Sequence, residues 1–338
     1  MLASRLPLIV PIILAALATV SGVARVQGQS PGNATAAKAS RAGSREQIRG
    51  TVQDGRVTVS LGGKVVLEYV APAGGPKCYV KTLCSPKGIN VLRDSPPDHV
   101  HHHGLMFAVG VDDVDYWAEG PGCGTQNAQG TIQLETRQEN GHAIARVVHP
   151  IIWRDAQGNP QLAEERELLL VRRDQPEFPT LLVWHTRLHV AGTGIGRTLW
   201  GRHYFGLGCR FVELMDKGGR FWNSAGGDSV ATTNDKRAEW CAYSAEAAGQ
   251  PVTVAMFDHP RNVRHPAVWF TMDQPFAYLS ATLNLANEKY YLKAGETLDL
   301  RYLVAVWDGT PSVTEISRVA GRFGQSTGQA ESVDDKRE

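Results

Sequence analysis

The sequence predicts an all-β fold, a large antiparallel β-sandwich that ends in one short C-terminal helix. Runs of alternating apolar and polar residues recur along the chain, and turns rich in Gly, Asn and Pro separate them. Strands do not alternate with helices as a parallel βαβ sheet requires, which argues against a Rossmann fold or a TIM barrel. The spacing is typical of antiparallel strands joined by short connections.

Residues 1–28 are predicted to be a secretory signal peptide. Arg5 provides the positive charge that precedes an apolar stretch over residues 6–20, and small residues follow. This stretch is shorter than the roughly 20 apolar residues of a membrane span, and no later segment could cross a bilayer. We therefore expect a periplasmic or secreted protein whose mature chain begins near Gln29. An uncleaved anchor is the alternative interpretation.

The remaining chain is expected to form one domain between two flexible ends. Residues 29–47 are rich in Ala, Ser and Gly without periodicity, and residues 324–338 have the same character. No internal linker or repeat interrupts residues 48–323, so they are predicted to be a single β-sandwich domain.

Individual elements follow from local patterns. Residues 57–61 and 64–69 flank a Gly62-Gly63 turn, which is typical of a β-hairpin. A helix is predicted over residues 312–323, because Pro311 precedes an apolar stripe at helical spacing. Further strands are predicted at residues 131–136, 142–149, 151–154, 162–172, 180–190, 209–214, 252–257, 267–272, 278–285 and 297–307.

Charge and cysteine content narrow the classes of function. Basic and acidic residues number 35 and 34, and no basic stripe is present, which argues against nucleic-acid binding. The chain has 5 cysteines, so disulfides are possible, with Cys78 and Cys84 the closest pair. An odd number leaves at least one thiol unpaired, and the spacings do not suggest a zinc site. We interpret the cysteines as buried or incidental.

The densest polar motif is Asp-His-Val-His-His-His-Gly at residues 98–104, directly after two prolines. Imidazole can donate, accept or bind a metal near neutral pH. In an extended chain, His99, His101 and His103 would project to one face and His102 to the other. Gly104 would allow close approach of backbone or ligand. We interpret the run as a functional centre, the alternative being a solvated loop.

Two shorter clusters lie further along the chain. In a strand over residues 162–167, Glu164 and Arg166 would share one face. They could form either a site or a cross-strand ion pair. His203 lies between Arg202 and Tyr204 before a glycine-rich bend, for which an ordinary bulge is the alternative.

Residues 257–269 form a second dense motif. His259, Asn262 and His265 offer hydrogen-bond donors and acceptors, and a proline follows each histidine. Trp240 and Trp269 could provide apolar faces for a sugar ring, although tryptophan in a β-protein is more often a core residue. We expect this motif and the histidine run to converge on one concave pocket.

Several motifs in combination resemble an exported bacterial family labelled "methane oxygenase PmoA", over nearly all of residues 50–310. This chain has Val100 where members commonly have Pro, and His103 where they often have Arg. The label implies a membrane oxygenase, but this chain offers only a signal segment, so we do not expect that activity. The motifs are Asp98-His99-x-His101-His102-x-Gly104-Leu105, Asp115-x-Trp117, Asn223-Ser224-x-Gly226, Trp240, Phe257-Asp258-His259-Pro260-x-Asn262-x-x-His265-Pro266-x-x-Trp269 and Gly295-Glu296-x-Leu298-x-Leu300-Arg301-Tyr302.

The early histidine-glycine turn and the late strand at residues 295–302 are also similar to the galactose-mutarotase-like supersandwich. That likeness implies action on carbohydrates. The leading hypothesis is therefore an exported epimerase, lyase or hydrolase, with His102 or His203 as the acid and Glu164 as the base. No cofactor is required. The residues expected to bind substrate are Asp98, His99, His101, His103, Arg166, Trp240, His259, Asn262, His265 and Trp269.

Two other hypotheses stay open. Same-face spacing in His99-x-His101-x-His103 could serve a divalent metal such as Zn, Fe, Cu or Mn, although no carboxylate follows as in a cupin. A non-catalytic sugar-binding protein is the third hypothesis. It would require a site dominated by aromatic residues, whereas the sequence motifs are dominated by titratable ones.

Overall fold

The computed structural model describes residues 46–173, 175, 177–192 and 194–325. The predicted signal peptide, residues 1–28, lies outside the described residues. So do most of the predicted flexible ends at residues 29–47 and 324–338. None of the helices within the described ranges has the length and apolar character needed to span a bilayer.

The described residues form twenty-two strands, all paired antiparallel. In chain order they are β1 (Ile48–Gln53), β2 (Arg56–Leu61), β3 (Lys64–Val70), β4 (Tyr79–Leu83), β5 (Leu105–Ala108), β6 (Gly110–Val111), β7 (Val114–Asp115), β8 (Thr125–Ala128), β9 (Gln133–Glu139), β10 (His142–Arg154), β11 (Pro160–Arg173), β12 (Thr180–Val190), β13 (Arg197–Trp200), β14 (Gly206–Arg210), β15 (Arg220–Asn223), β16 (Lys236–Arg237), β17 (Trp240–Ala247), β18 (Gln250–Asp258), β19 (Val268–Met272), β20 (Tyr278–Thr282), β21 (Tyr290–Leu292) and β22 (Leu298–Asp308).

Two large sheets and one small sheet result. The first sheet has the order β1-β2-β3-β4-β5-β14-β20-β19-β16. The second has the order β15-β17-β18-β22-β12-β11-β10-β8, and β9 also pairs with β10. The small sheet has the order β21-β13-β6-β7. The predicted all-β antiparallel sandwich is therefore confirmed.

The second sheet is apolar on both faces. In β22, Leu300, Tyr302 and Val304 belong to the core shared with the first sheet, whereas Leu303 and Ala305 belong to a second apolar cluster. The C-terminal helix α2 (Val313–Gln325) covers that second cluster with Ile316 and Phe323. Alternation along each strand thus divides one sheet between two cores.

The predicted hairpin and the predicted helix both form. Gly62 and Gly63 have φ of 58° and 81°, the left-handed pair that a tight hairpin turn needs. Helix α2 (Val313–Gln325) starts after Ser312, whose Oγ accepts a 3.2 Å hydrogen bond from the Glu315 backbone N–H. The Glu315 carboxylate in turn accepts one from the Ser312 N–H at 2.7 Å. This capping box fixes the helix start, and the helix runs past the predicted end at residue 323.

Other elements differ from the sequence predictions. Residues 142–154 form one strand and not the two predicted. Pro150 has no N–H to donate, but it lies at the point where β10 stops pairing with β9 and starts pairing with β8, so the strand continues through it. A short helix α1 (Val230–Thr233) and a 3₁₀ helix (Glu213–Met215) were not predicted. All five cysteine thiols are free, and four are buried while Cys123 is half-buried.

Candidate functional site

The histidine run is a turn, not a strand. The Pro96 carbonyl accepts a 3.0 Å hydrogen bond from the His99 N–H, and the His99 carbonyl accepts one of 2.9 Å from the His102 N–H. Three-residue spacing in a turn stacks the His99 and His102 rings, with centroids 4.7 Å apart. The His101 centroid lies 4.7 Å from that of His102. The extended geometry was therefore wrong: the preceding prolines favour turns, and His103 separates from the other three.

The base of this histidine turn, residues 96–103, is held tightly against the first sheet. Asp94 and His103 face each other in an isolated β-bridge. Gly104 has φ of 40°, and a Cβ there would overlap the Val80 carbonyl oxygen. The expected close approach at Gly104 is confirmed, because only glycine tolerates both the conformation and the contact.

Three histidines of the turn line a cavity of about 430 Å³, which we call the histidine–aromatic cavity. Its size lies within the usual range for small-molecule pockets, about 300–1,000 Å³. Long connections and the strands β19 and β20 contribute the other walls. The lining residues are His99, His101, His102, Trp117, Arg202, Tyr204, Phe270, Met272, Pro275, Phe276 and Tyr278.

Strand register explains which side chains reach the cavity. Along β19, Trp269 is fully buried, whereas its neighbour Phe270 lines the cavity. Met272 lies opposite Tyr278 of β20, so both project from the same face of the first sheet. A Cβ at Gly208 of β14 would overlap the Tyr278 hydroxyl. The missing side chain therefore makes room for the cavity floor.

His102 is the most enclosed of the lining histidines. Its ring centroid lies 5.2 Å from that of Tyr278, 5.6 Å from that of Phe276 and 6.2 Å from that of Trp117. Its Nδ1 is buried, and neither ring nitrogen has a hydrogen-bond partner within the described chain. Burial, reinforced by the neighbouring His101 and His99, lowers the pKa of His102 to about 3. The ring is therefore neutral near pH 7, with one nitrogen able to donate and one able to accept.

Asp98 orients His99 from outside the cavity. Its Oδ2 lies 3.1 Å from His99 Nδ1 and accepts a 3.3 Å hydrogen bond from Arg210 Nη2. A carboxylate at Nδ1 favours the tautomer that carries its proton there, which leaves His99 Nε2 as an acceptor.

His103 belongs to a separate polar network behind the cavity. Its Nδ1 lies 2.7 Å from Asp94 Oδ1, and its Nε2 lies 2.8 Å from Glu119 Oε1. The Tyr79 ring stacks on it with centroids 4.3 Å apart. Burial alone would lower the pKa of His103, but the two carboxylate hydrogen bonds and the Glu119 charge outweigh it and raise the pKa.

Glu164 and Arg166 share one face as predicted, but they form a fully buried ion pair. The Glu164 carboxylate accepts hydrogen bonds from Arg166 Nε at 2.7 Å, Arg166 Nη2 at 2.9 Å, Trp153 Nε1 at 2.7 Å and Thr186 Oγ1 at 3.0 Å. Both side chains are 0% exposed. Both carboxylate oxygens are thus occupied, and neither residue lines the histidine–aromatic cavity. This geometry favours the ion-pair alternative over a role as catalytic base.

The motif at residues 257–269 lines a different cavity of about 260 Å³, and its lining shares no residue with the first. There His265 Nδ1 lies 2.8 Å from Asp258 Oδ2, and Asn262 Nδ2 donates to Asp258 Oδ1 at 2.7 Å. Among the described residues, the two motifs line these two separate cavities and not the expected single pocket. The reason is topological: Asp258 and His265 lie where the chain leaves β18 of the second sheet and passes helix α2 on its way to β19, whereas the histidine turn precedes β5 of the first sheet.

The other predicted site residues are buried or peripheral. Trp240 and Trp269 are 0% exposed, so neither offers a ring face to a ligand. His259 is also fully buried, and its burial lowers its pKa to about 4. The His203 side chain is 62% exposed beside Asp235, outside the histidine–aromatic cavity. The core alternative for the tryptophans agrees with these positions.

Sequence reasoning missed most of the aromatic walls. The signal at residues 202–204 pointed to His203, but in a turn its neighbours Arg202 and Tyr204 face the cavity. Trp117 appeared only within the Asp115-x-Trp117 motif. Nothing in the sequence singled out Phe276 or Tyr278, because ordinary core strands have the same composition.

The residues present fit a metal ion poorly. Among the described residues, no three or more His, Cys, Asp or Glu side chains are arranged to hold one. In the histidine turn, the His99 and His102 rings stack with 23° between their planes. Stacked rings do not direct their lone pairs toward a common point, as ligation requires.

Fold and site together define an antiparallel β-sandwich protein with a cavity lined by histidine and aromatic side chains. The chain belongs to the family of unknown function DUF6807, whose model matches residues 56–321. No curated protein matches it. Among solved structures it is similar to galactose 1-epimerase from Lactobacillus acidophilus NCFM, with 8% identity over 78% of this chain and 100% of that one, at a TM-score of 0.36. The resemblance to the PmoA-labelled family stays a prediction.

Proposed function

We propose that the protein binds a sugar or glycoside in the histidine–aromatic cavity and moves a proton on it through histidine chemistry. One observation carries the proposal. His102 is neutral, neither of its ring nitrogens has a hydrogen-bond partner among the described residues, and it is enclosed with five Trp, Tyr and Phe side chains in a cavity of about 430 Å³.

A sugar matches this lining because its ring has apolar C–H faces and a polar hydroxyl edge. Aromatic side chains such as Phe276 and Phe270 cover apolar faces. Neutral imidazoles each offer one donor and one acceptor, as a hydroxyl does. Arg202 and Tyr204 at the wall add further polar atoms for orientation.

The lining also selects among reactions. Hydrolysis by paired carboxylates needs two Asp or Glu residues flanking the bond that breaks. None of the eleven residues that line this cavity is acidic. Epimerase or lyase chemistry instead needs one group to take a proton and another to supply it. His99, whose Nε2 carries no proton when Asp98 holds the proton at Nδ1, is the acceptor, and the N–H of the neutral His102 is the donor.

A second candidate function, non-catalytic sugar binding, draws on the same lining. Five of the eleven residues are Trp, Tyr or Phe, so aromatic side chains outnumber the three histidines. In addition, a pKa of about 3 makes His102 a weak base, since proton transfer is most effective when the pKa lies near the working pH. Hydrogen bonding by a neutral His102 serves binding equally well.

Calorimetric titration with a panel of neutral sugars, uronic acids and disaccharides tests the binding. For the best ligand, we expect His102→Ala to weaken affinity at least about tenfold, or about 1.4 kcal/mol, through one lost hydrogen bond and its packing. His203→Ala is the matched control, since it removes an exposed histidine outside the cavity. Equal affinities for both variants and wild type would refute the assignment.

Proton NMR of the same sugars then separates the two candidates. Inversion, anomeric exchange or elimination that requires His102 indicates an enzyme. Tight binding without any turned-over product indicates a binding protein. Thermal unfolding of both variants checks that the fold is retained.

A further inference from the structure

His103 is held between two carboxylates, and this fixes its charge. Nδ1 lies 2.7 Å from Asp94 Oδ1 and Nε2 lies 2.8 Å from Glu119 Oε1. An ionised carboxylate can only accept, and a neutral imidazole has only one N–H. Both hydrogen bonds therefore require the doubly protonated imidazolium.

Both carboxylates are ionised, because each has further donors. Lys77 Nζ donates to Glu119 Oε1 at 2.5 Å. The Tyr79 hydroxyl donates to Asp94 Oδ2 at 3.3 Å, and Lys81 Nζ lies 3.6 Å from the same oxygen. These donors and the His103 hydrogen bonds hold the pKa of each carboxyl below its ordinary value, against the opposing effect of burial.

We propose that His103, as an imidazolium, is the positioning residue that joins the two walls of the histidine–aromatic cavity. One wall is the histidine turn, where His102 directly precedes His103. The other is the segment that carries Trp117, two residues before Glu119. The importance of these walls for a ligand rests on the proposed function. The positive charge of His103 and its two hydrogen bonds to Asp94 and Glu119, which together we call the clamp, do not depend on it.

The surroundings of His103 set its pH response. Its side chain is 9% exposed. The groups around it are the Asp94 and Glu119 carboxylates, the Tyr79 ring, the Ser95 hydroxyl at 3.2 Å from Nδ1, and the charges of Lys77 and His101. Lys81 lies one step further out, beside the Asp94 carboxylate.

Deprotonation would break the clamp at one end. The nitrogen that loses its proton would direct a lone pair at a carboxylate oxygen, which repels it. Either Asp94 or Glu119 would then be released, and the two walls could separate. Protonation favours the form in which both hydrogen bonds are made. The two walls are therefore held together at lower pH and separate more easily as the pH rises through the His103 pKa.

The test uses the ligand-free protein. Nitrogen-15 NMR of the histidine rings, with His103 assigned by its loss in His103→Gln, reports charge across about pH 5 to about pH 9. The indole N–H signal of Trp117, assigned with Trp117→Phe, reports the opposite wall. We expect imidazolium shifts for His103 at about pH 6, and a Trp117 shift with the same midpoint as the His103 titration.

Variants sharpen the result. Glu119→Gln and Asp94→Asn each remove one negative partner, so the midpoint should fall in both. Glu213→Gln is the matched control, since its carboxylate is 79% exposed and pairs with Arg93 instead. His103→Arg keeps a permanent cation and should hold the Trp117 signal constant over the same pH range.

Each failure has a distinct meaning. A neutral His103 tautomer at about pH 6, or a midpoint unmoved by Glu119→Gln, refutes the charge assignment. A Trp117 signal that ignores the His103 titration refutes the positioning role. Sugar affinity is measured separately against pH: no binding to wild type refutes the proposed function alone, whereas pH-independent binding refutes only the role of His103 in it.

Discussion

Replacing Glu164 with glutamine would leave the buried guanidinium of Arg166 without its counter-charge. In the wild-type protein, Glu164 Oε1 accepts from Arg166 Nε and Thr186 Oγ1, and Oε2 accepts from Arg166 Nη2 and Trp153 Nε1. An amide retains only one oxygen. Its NH2 group would replace an oxygen that accepts two hydrogen bonds. Those two hydrogen bonds are lost, and the NH2 group would face two other N–H or O–H donors.

These losses allow an estimate of the stability change. Hydrogen bonds to charged groups contribute about 1.5–3 kcal/mol each, and breaking a buried pair by removing one partner costs about 3–5 kcal/mol. With both side chains 0% exposed, solvent cannot screen the remaining charge. We therefore expect Glu164→Gln to lower the free energy of unfolding by about 3–5 kcal/mol.

Urea unfolding followed by tryptophan fluorescence measures this change. The matched control is Glu165→Gln, the same substitution one residue away on the opposite strand face. Glu165 is 44% exposed in a surface pair with Arg187, so at most about 1 kcal/mol should be lost. The double variant Glu164→Leu with Arg166→Met removes both charges and should recover most of the stability.

Two results would refute the structural role of this pair. One is a loss below about 1 kcal/mol in Glu164→Gln, similar to the surface control. The other is a double variant as unstable as the single one, since that would mean that the charge imbalance is not the cause. Loss of sugar turnover with unchanged stability would instead return Glu164 to a catalytic role.

Three further outcomes follow. His102 has a pKa of about 3 in the folded state and about 6.5 in the unfolded state, so the unfolded state gains the proton first and the free energy of unfolding falls as the pH falls through that interval. His102→Gln should remove about 2 kcal/mol of the loss between about pH 6.5 and about pH 5. Equilibrium unfolding measures this, and a pH profile equal to that of the wild type would contradict the prediction. Native alkylation followed by mass spectrometry should label only Cys123, because the other four thiols are buried, and all five after denaturation; labelling at Cys209 or Cys241 in the native protein would contradict this. We also propose export with a mature chain that begins near Gln29, and mass spectrometry that finds Met1 retained in natively expressed protein would refute it.

The sequence correctly predicted those features of the fold that depend on residues close together in the chain. The Gly62-Gly63 hairpin and the Ser312 start of the C-terminal helix follow from turn and capping chemistry within a few residues. Strand alternation correctly placed Glu164 with Arg166 on one face. The sandwich class followed from the repeated pattern of strands and turns, since burial on a sheet face requires that alternation.

What the tertiary structure decided is the environment of each polar group. The histidine run marked the site, but its turn geometry set His103 apart from the others, and rings from distant segments made His102 neutral. Both oxygens of the Glu164 carboxylate accept hydrogen bonds from side chains on β10, β11 and β12. The two motifs line different cavities because Asp258 and His265 lie beside helix α2, whereas the histidine turn lies against β19 and β20. Desolvation and long-range contacts exist only after the sheets pack, and a sequence pattern records only the neighbours along the chain.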